Sequence, residues 1–254
     1  MIEFVNVSKN YGEKQALTGL SLTIKQGEIF GFLGHNGAGK STTIKSLVSI
    51  IEPSGGSISV DGLDLIGNRM AIKKKIAYVP DTPDIFLQLT ASEYWDLIAA
   101  AYELNSEQKQ ARLNELATLF DMVNHQDETL ASFSHGMRQK TIIIGALLPD
   151  PEIWILDEPL QGLDPQAAFD LKEMMKAHAA KGNTVIFSTH ALDTAQQLCD
   201  ELAILKKGEL IYNGSVETLL EQSPNESLEA IYLKMAGRQS DISSKDTIIG
   251  DSHE

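Results

Sequence analysis

The chain has 254 residues, 43% hydrophobic and 22% charged, with a formal net charge of −14. That balance belongs to a globular protein with one substantial core and excludes wholesale disorder. The acidity argues against nucleic acid as a main partner, and against unaided binding to an anionic membrane surface, since both reward a basic face. The N-terminal MIEFVNVSKN lacks the basic-then-apolar layout of a signal peptide. Residues 2–7 and 20–25 then alternate as strands, with turns near Gly12 and Gly19, which predicts an antiparallel opening. The apolar run 28–33 leads through a glycine-rich loop into a helical stretch at 40–51. A further strand, 57–60, precedes the turn pair Asp61–Gly62.

After Tyr78-Val79-Pro80 the texture changes. From Thr90 to Leu148 the pattern is mainly helical and opens on Thr90-x-x-Glu93, a capping box. Leu113, Leu116, Phe120 and Val123 recur at helical spacing and read as core. From 152 onward, strands at 152–156 and 184–188 alternate with helices, and 201–205 and 208–212 close a pair around Lys207–Gly208. Such βα alternation predicts an α/β fold, a mostly parallel sheet with helices on both faces. The expected organisation is one domain over 1–238 with a helical insertion at about 84–148, followed by a polar, disordered tail at 239–254. The single cysteine, Cys199, fits a reducing compartment, and no apolar run approaches the roughly 20 residues of a membrane span. A soluble, cytoplasmic protein is expected.

The chemistry begins at GHNGAGKST, residues 34–42, which fits G-x-x-x-x-G-K-[ST] between an apolar strand and a helix. The amides of Gly34, His35, Asn36, Gly37, Ala38 and Gly39 would wrap a β-phosphate, helped by the helix dipole. Lys40 would reach the β- and γ-phosphates, the Ser41 hydroxyl would bind Mg²⁺, and Thr42 completes the loop. In IWILDEP, residues 153–159, a buried strand ends in two carboxylates. Strand ends of this kind face the ligand crevice, so Asp157 would hold Mg²⁺ and Glu158 would accept a proton from an attacking water. FSTH, residues 187–190, places His190 at the end of another strand of the same sheet, within reach of a γ-phosphate. His125, His178 and His253 have no such placement and read as surface or core residues.

With these motifs in order, the chain resembles the nucleotide-binding ATPase subunit of ABC (ATP-binding cassette) transporters over about residues 2–220. The resemblance implies that Tyr11 stacks on adenine, Asp157 binds Mg²⁺, Glu158 is the catalytic base and His190 the switch histidine. QGLDP, 161–165, matches the family's D-loop with Asp164 as its acid, although Asp164-Pro165 is equally a helix N-cap and N1 pair. The family signature LSGGQ corresponds to Phe133-Ser134-His135-Gly136-Met137, which keeps Ser134 and Gly136. Where the family places a Q-loop glutamine, this chain has Asp81, which only accepts hydrogen bonds and is one methylene shorter. It is expected to reach the Mg²⁺ shell through water rather than directly. The variation more closely resembles bacterial single-domain exporters of the Ecs and drug-exporter type than importers.

The resemblance further implies ATP and Mg²⁺ as ligands, and a second copy or a homologous ATPase as partner. Each signature would face the ATP held by the other subunit's P-loop. A separate integral membrane permease would carry the solute and hold the ATPase at the inner face of the membrane. Two rival readings are an ABC ATPase acting without a membrane and a regulatory nucleotide switch that barely hydrolyses ATP.

Overall fold

The computed structural model describes residues 1–221, 226–235 and 237. In chain order its elements are β1 (Ile2–Tyr11), β2 (Lys14–Ile24), β3 (Ile29–Leu33), α1 (Lys40–Leu47), β4 (Gly55–Val60), β5 (Leu63–Asp64), α2 (Arg69–Lys73) and β6 (Ile76–Val79). Then come α3 (Ala91–Ala101), α4 (Ser106–Leu119) and α5 (His135–Leu147), followed by β7 (Ile153–Asp157), α6 (Pro165–Ala180), β8 (Thr184–Thr189) and α7 (Leu192–Leu198). The hairpin β9 (Glu201–Lys206) and β10 (Glu209–Ser215) precedes α8 (Val216–Glu221) and α9 (Leu228–Met235). The tail at 239–254, with His253, lies outside the described residues.

The described strands form two sheets. One is antiparallel, of order β2-β1-β4-β5; the other runs β10-β9-β3-β8-β7-β6 and is parallel except at the β9–β10 hairpin. Side chains of the second sheet alternate between its faces, as the pleat dictates. Trp154, Leu156, Val185 and Phe187 join a core with α3 to α6, whereas Phe30, Phe32, Ile153, Ile155 and Ile186 meet α1, α2 and the antiparallel sheet. Burial on both faces is why these strands read as unbroken apolar runs. The register puts Leu33 beside Thr189 and Asp157 beside Ser188, so β3, β7 and β8 deliver their C-terminal ends to one edge. That edge is where a parallel sheet binds its ligand.

Two expectations at helix ends are corrected. The helix expected over 40–51 stops at Leu47, because Ser49 turns left-handed (φ 58°). Ile50 N–H then bonds the Lys45 carbonyl and Ser49 N–H that of Ser46, a Schellman ending built on serine instead of glycine. The apolar Ile50 that prolonged the pattern is exposed. Likewise Leu113, Leu116 and Phe120 are buried as expected, but Val123 is exposed, since α4 ends before the left-handed Asp121 and Val123 sits in a short 3₁₀ turn. The Thr90–Glu93 capping box forms in full.

His178 on α6 is buried and stacks on the Trp154 indole, with ring centroids 3.8 Å apart. Burial lowers its pKa to about 4, against the upward pull of Asp150, whose carboxylate lies 3.6 Å from Nδ1. His178 is therefore neutral in the fold yet titrates near 6.5 when unfolded, so stability is lost as pH falls from about 6.5 toward about 4. A shift of that size corresponds to on the order of 3 kcal/mol. His178→Phe should flatten the acid side of a denaturation-versus-pH curve between those values. An unchanged slope would assign the acid sensitivity to other groups.

Candidate active site

The loop between β3 and α1 is held from below by the rest of the fold. Lys40 follows Gly39, which caps α1 with φ 114°, and a Cβ there would meet Leu17 Cδ2 at 3.0 Å and the Ala16 carbonyl at 3.1 Å. Gly34 is packed as closely: a Cβ would stand 2.6 Å from the Leu205 carbonyl. The β9–β10 turn supports the loop directly, as Gly208 N–H donates to the Ala38 carbonyl at 2.9 Å. Only glycine allows these backbones to approach so closely. Above the loop opens a cleft of about 660 Å³. Its walls include Tyr11 at the end of β1, the loop residues His35 to Thr42, Asp81, Glu158 and His190. Tyr11 is half exposed, with the Lys9 ammonium 5.2 Å from its ring centre. The His35 ring turns onto the Asn36 carbonyl at 2.7 Å, and its own carbonyl accepts from Ala38 N–H.

The charged groups converge at one end of the cleft. The Lys40 ammonium is buried, donates to the Gly34 carbonyl at 2.7 Å and lies 3.3 Å from Glu158 Oε1. The other Glu158 oxygen is 3.0 Å from His190 Nδ1. Glu158 itself is left-handed (φ 48°), a conformation costing about 1 kcal/mol or more that a surrounding structure must enforce. Ser188 does so here: its hydroxyl accepts from Glu158 N–H at 2.9 Å and donates to Asp157 Oδ1 at 2.5 Å. The sequence alone assigns Ser188 no role, because a serine inside an apolar strand carries no spacing signal.

Asp157 is fully buried, and burial raises its carboxyl pKa against the hydrogen bonds from Ser188 and Ser41. Ser41 Oγ donates to Oδ1 at 3.2 Å, whereas Oδ2 is buried without a partner. An orphaned carboxylate oxygen beside a serine hydroxyl is a hard-oxygen donor pair, the chemistry that suits Mg²⁺. Asp81 stands across from it, half exposed, with Oδ1 3.5 Å from the Lys45 ammonium. Its charge adds to the upward shift of Asp157. Lys45 is a second residue that reading the motifs missed.

Ser134, Gly136 and Asp164 stand apart, for none of them lines this cleft. The segments that carry them meet elsewhere, through Gly136 against Gly162 and Lys140 against Asp164. Ser134 caps α5 by accepting from Met137 N–H at 3.2 Å, and Asp164 caps α6 by accepting from Ala167 N–H at 2.9 Å. That bond and the Lys140 ammonium lower the Asp164 pKa. A Cβ on Gly136 would sit 2.6 Å from the Gly162 carbonyl, and one on Gly162 2.4 Å from the His135 ring. His135, where the family signature has glycine, therefore fills the space over Gly162.

The ABC transporter family model matches residues 17–161. The ABC transporter ATP-binding protein NatA of Bacillus subtilis strain 168 is 34% identical over 92% of this chain and 97% of its own length. EcsA, an ABC-type transporter ATP-binding protein of the same strain, is 35% identical over 92% of this chain and 96% of its own. Among solved structures, an ATP-binding subunit of an ABC transporter matches at TM-score 0.87 and 35% identity, over 92% of this chain and 99% of that one. A dimeric ATP-binding cassette in a post-hydrolysis state, bound to ADP and Pi, matches at TM-score 0.77 and 25% identity, over 85% and 99%. A P-loop pinned by neighbouring backbone, a buried Asp157 and a Glu158–His190 pair at one sheet edge agree with these likenesses: the chain belongs to the ABC transporter family, as an ATP-binding subunit.

Proposed function

We propose that the chain binds ATP in the P-loop cleft, hydrolyses it to ADP and phosphate, and closes on a second copy or a homologous ATPase to drive a separate membrane permease. The observation behind this reading is the cluster at the sheet edge, with Glu158 contacted by Lys40 on one oxygen and His190 on the other, beside the orphaned Asp157 oxygen. Tyr11 offers its exposed ring to adenine, and the loop amides from Gly34 to Thr42 take the phosphates. The Lys40 ammonium exchanges the Gly34 carbonyl and Glu158 for β- and γ-phosphate oxygens. Glu158 then accepts a proton from water as the water oxygen attacks the γ-phosphorus and the bond to the bridging oxygen breaks. His190 orients Glu158 and steadies the γ-phosphate region. Ser41 and Asp157 would hold Mg²⁺, which would supply charge neutralisation on the phosphates, and Asp81 would assist from the far side of the site.

Ser134, Gly136 and Asp164 act on the other subunit's ATP, which supports a composite site because none of them reaches the cleft of its own chain. No described helix is long and apolar enough to cross a membrane, so transport assigns the solute path to another chain, with this one at the inner membrane face. An export direction is favoured by relatives such as the Nod factor export ATP-binding protein I of Burkholderia orbicola, 33% identical over 87% of this chain and 72% of that one. Charge stabilisation by a metal is commonly several kcal/mol. Asp157→Asn should therefore slow phosphate release at least ~100-fold and raise the Mg²⁺ needed for it. Hydrolysis that persists under chelation would overturn the metal role. Detergent extraction of the native membrane should recover the chain with a protein bearing several apolar segments of about 20 residues. Recovery without one would contradict the permease.

A further inference from the structure

The first turn of α5 is gripped from two sides. Arg138 donates from Nε to the Leu130 carbonyl at 2.9 Å, from one terminal nitrogen to Asp84 Oδ1 at 2.7 Å, and from the other to the Ala131 carbonyl at 3.2 Å. On the opposite side the Lys140 ammonium meets Asp164 Oδ2 at 2.6 Å, and Gln139 donates to the Pro159 carbonyl at 3.3 Å. The acceptors on the first side are tied together. Ala131 N–H donates to the Leu87 carbonyl and Leu130 N–H to that of Leu89, so residues 84–89 and 130–131 are stitched by backbone. Arg138 clamps that ribbon to the turn carrying Ser134 and Gly136, while Pro159 and Asp164 lie just beyond Glu158.

Magnitudes decide what this clamp is for. Asp84 is about half exposed, and an exposed ion pair contributes little to stability. Geometry is another matter: a planar guanidinium that satisfies three acceptors at once fixes direction in a way an ammonium cannot. We infer that Arg138 is a positioning residue: by its fork to Asp84, Leu130 and Ala131 it makes the placement of Ser134 and Gly136 depend on the segment just after Asp81. That segment thereby sets how tightly one chain engages the ATP of a second. The inference rests on the composite-site reading and names the element that adjusts it.

The test uses the full chain carrying Glu158→Gln, with the ATP concentration for half-maximal dimerisation as readout. Asp84→Asn and Arg138→Lys should each raise that concentration about fivefold, and the double variant no further than either single one. ATP binding to the monomer, measured in a Ser134→Arg background, should be unchanged, and the thermal midpoint should move by less than about 2 °C. Wild-type dimerisation by Asp84→Asn would overturn the inference. So would additive effects, or a parallel fall in monomer binding and thermal midpoint, which would mark a merely structural role. Ser134→Arg separates the two claims. If it blocks dimerisation while Asp84→Asn keeps the wild-type ATP requirement, only the role of Arg138 fails; if it dimerises normally, the composite site fails and this inference with it.

Discussion

Glu158→Gln is expected to lower the turnover number for ATP by about 10²–10⁴-fold while leaving ATP binding intact, and to hold the chain as an ATP-bound dimer. The reasoning is local. Glutamine keeps the volume and the polar end of the side chain but cannot accept the proton of the attacking water. The left-handed backbone at 158 and its bond to Ser188 do not depend on the carboxylate. The Lys40 ammonium keeps the Gly34 carbonyl as a partner, so its approach to phosphate is not impaired. A burst of phosphate at the wild-type rate from Glu158→Gln would mean that another group takes the proton.

Ser134→Arg is expected to abolish ATP-driven association while changing monomer affinity for ATP by less than about twofold. Ser134 is exposed at the start of α5 and its hydroxyl caps that helix, so its loss alone should cost about 1 kcal/mol of stability. Ser134→Ala removes the same cap without the bulk and charge, and separates helix destabilisation from obstruction. The account expects Ser134→Ala to weaken association partially and Ser134→Arg to eliminate it. A drop in monomer ATP binding with either would place the signature in its own chain's cleft, where the structure does not put it.

What could be read from the residues follows from range. The P-loop, Asp157 with Glu158, and His190 were legible because each is a short motif at a strand end, and strand ends in a parallel sheet share one edge. The antiparallel opening was legible by alternation but underestimated in extent: β1 runs on to Tyr11 and β2 begins at Lys14, with register shifts along their pairing. A period-2 pattern is blurred by such irregularities. Helix ends differ from the periodicity where a residue other than glycine turns left-handed, at Ser49 and Asp121, since neither carries glycine's strong stop signal.

The contacts that organise the site were the least legible. Ser188 bridges Asp157 and Glu158 from the neighbouring strand, and Lys45 faces Asp81 from α1. Arg138 and Lys140 carry no motif signal in the sequence, although they fasten the signature turn to two separate segments. His135, where LSGGQ has glycine, packs its ring against Gly162, a contact between residues far apart in sequence. Such pairings exist only once the helices are packed.

The central claim is that ATP joins two chains, each completing the other's site. Its most direct test is the solution mass of the Glu158→Gln chain with ATP and Mg²⁺, beside the same chain also carrying Ser134→Arg. Twice the single-chain mass is expected for the first and the single-chain mass for the second, with both binding ATP. A dimer that forms equally well with Ser134→Arg, or a monomer that occludes and hydrolyses ATP unaided, would contradict it.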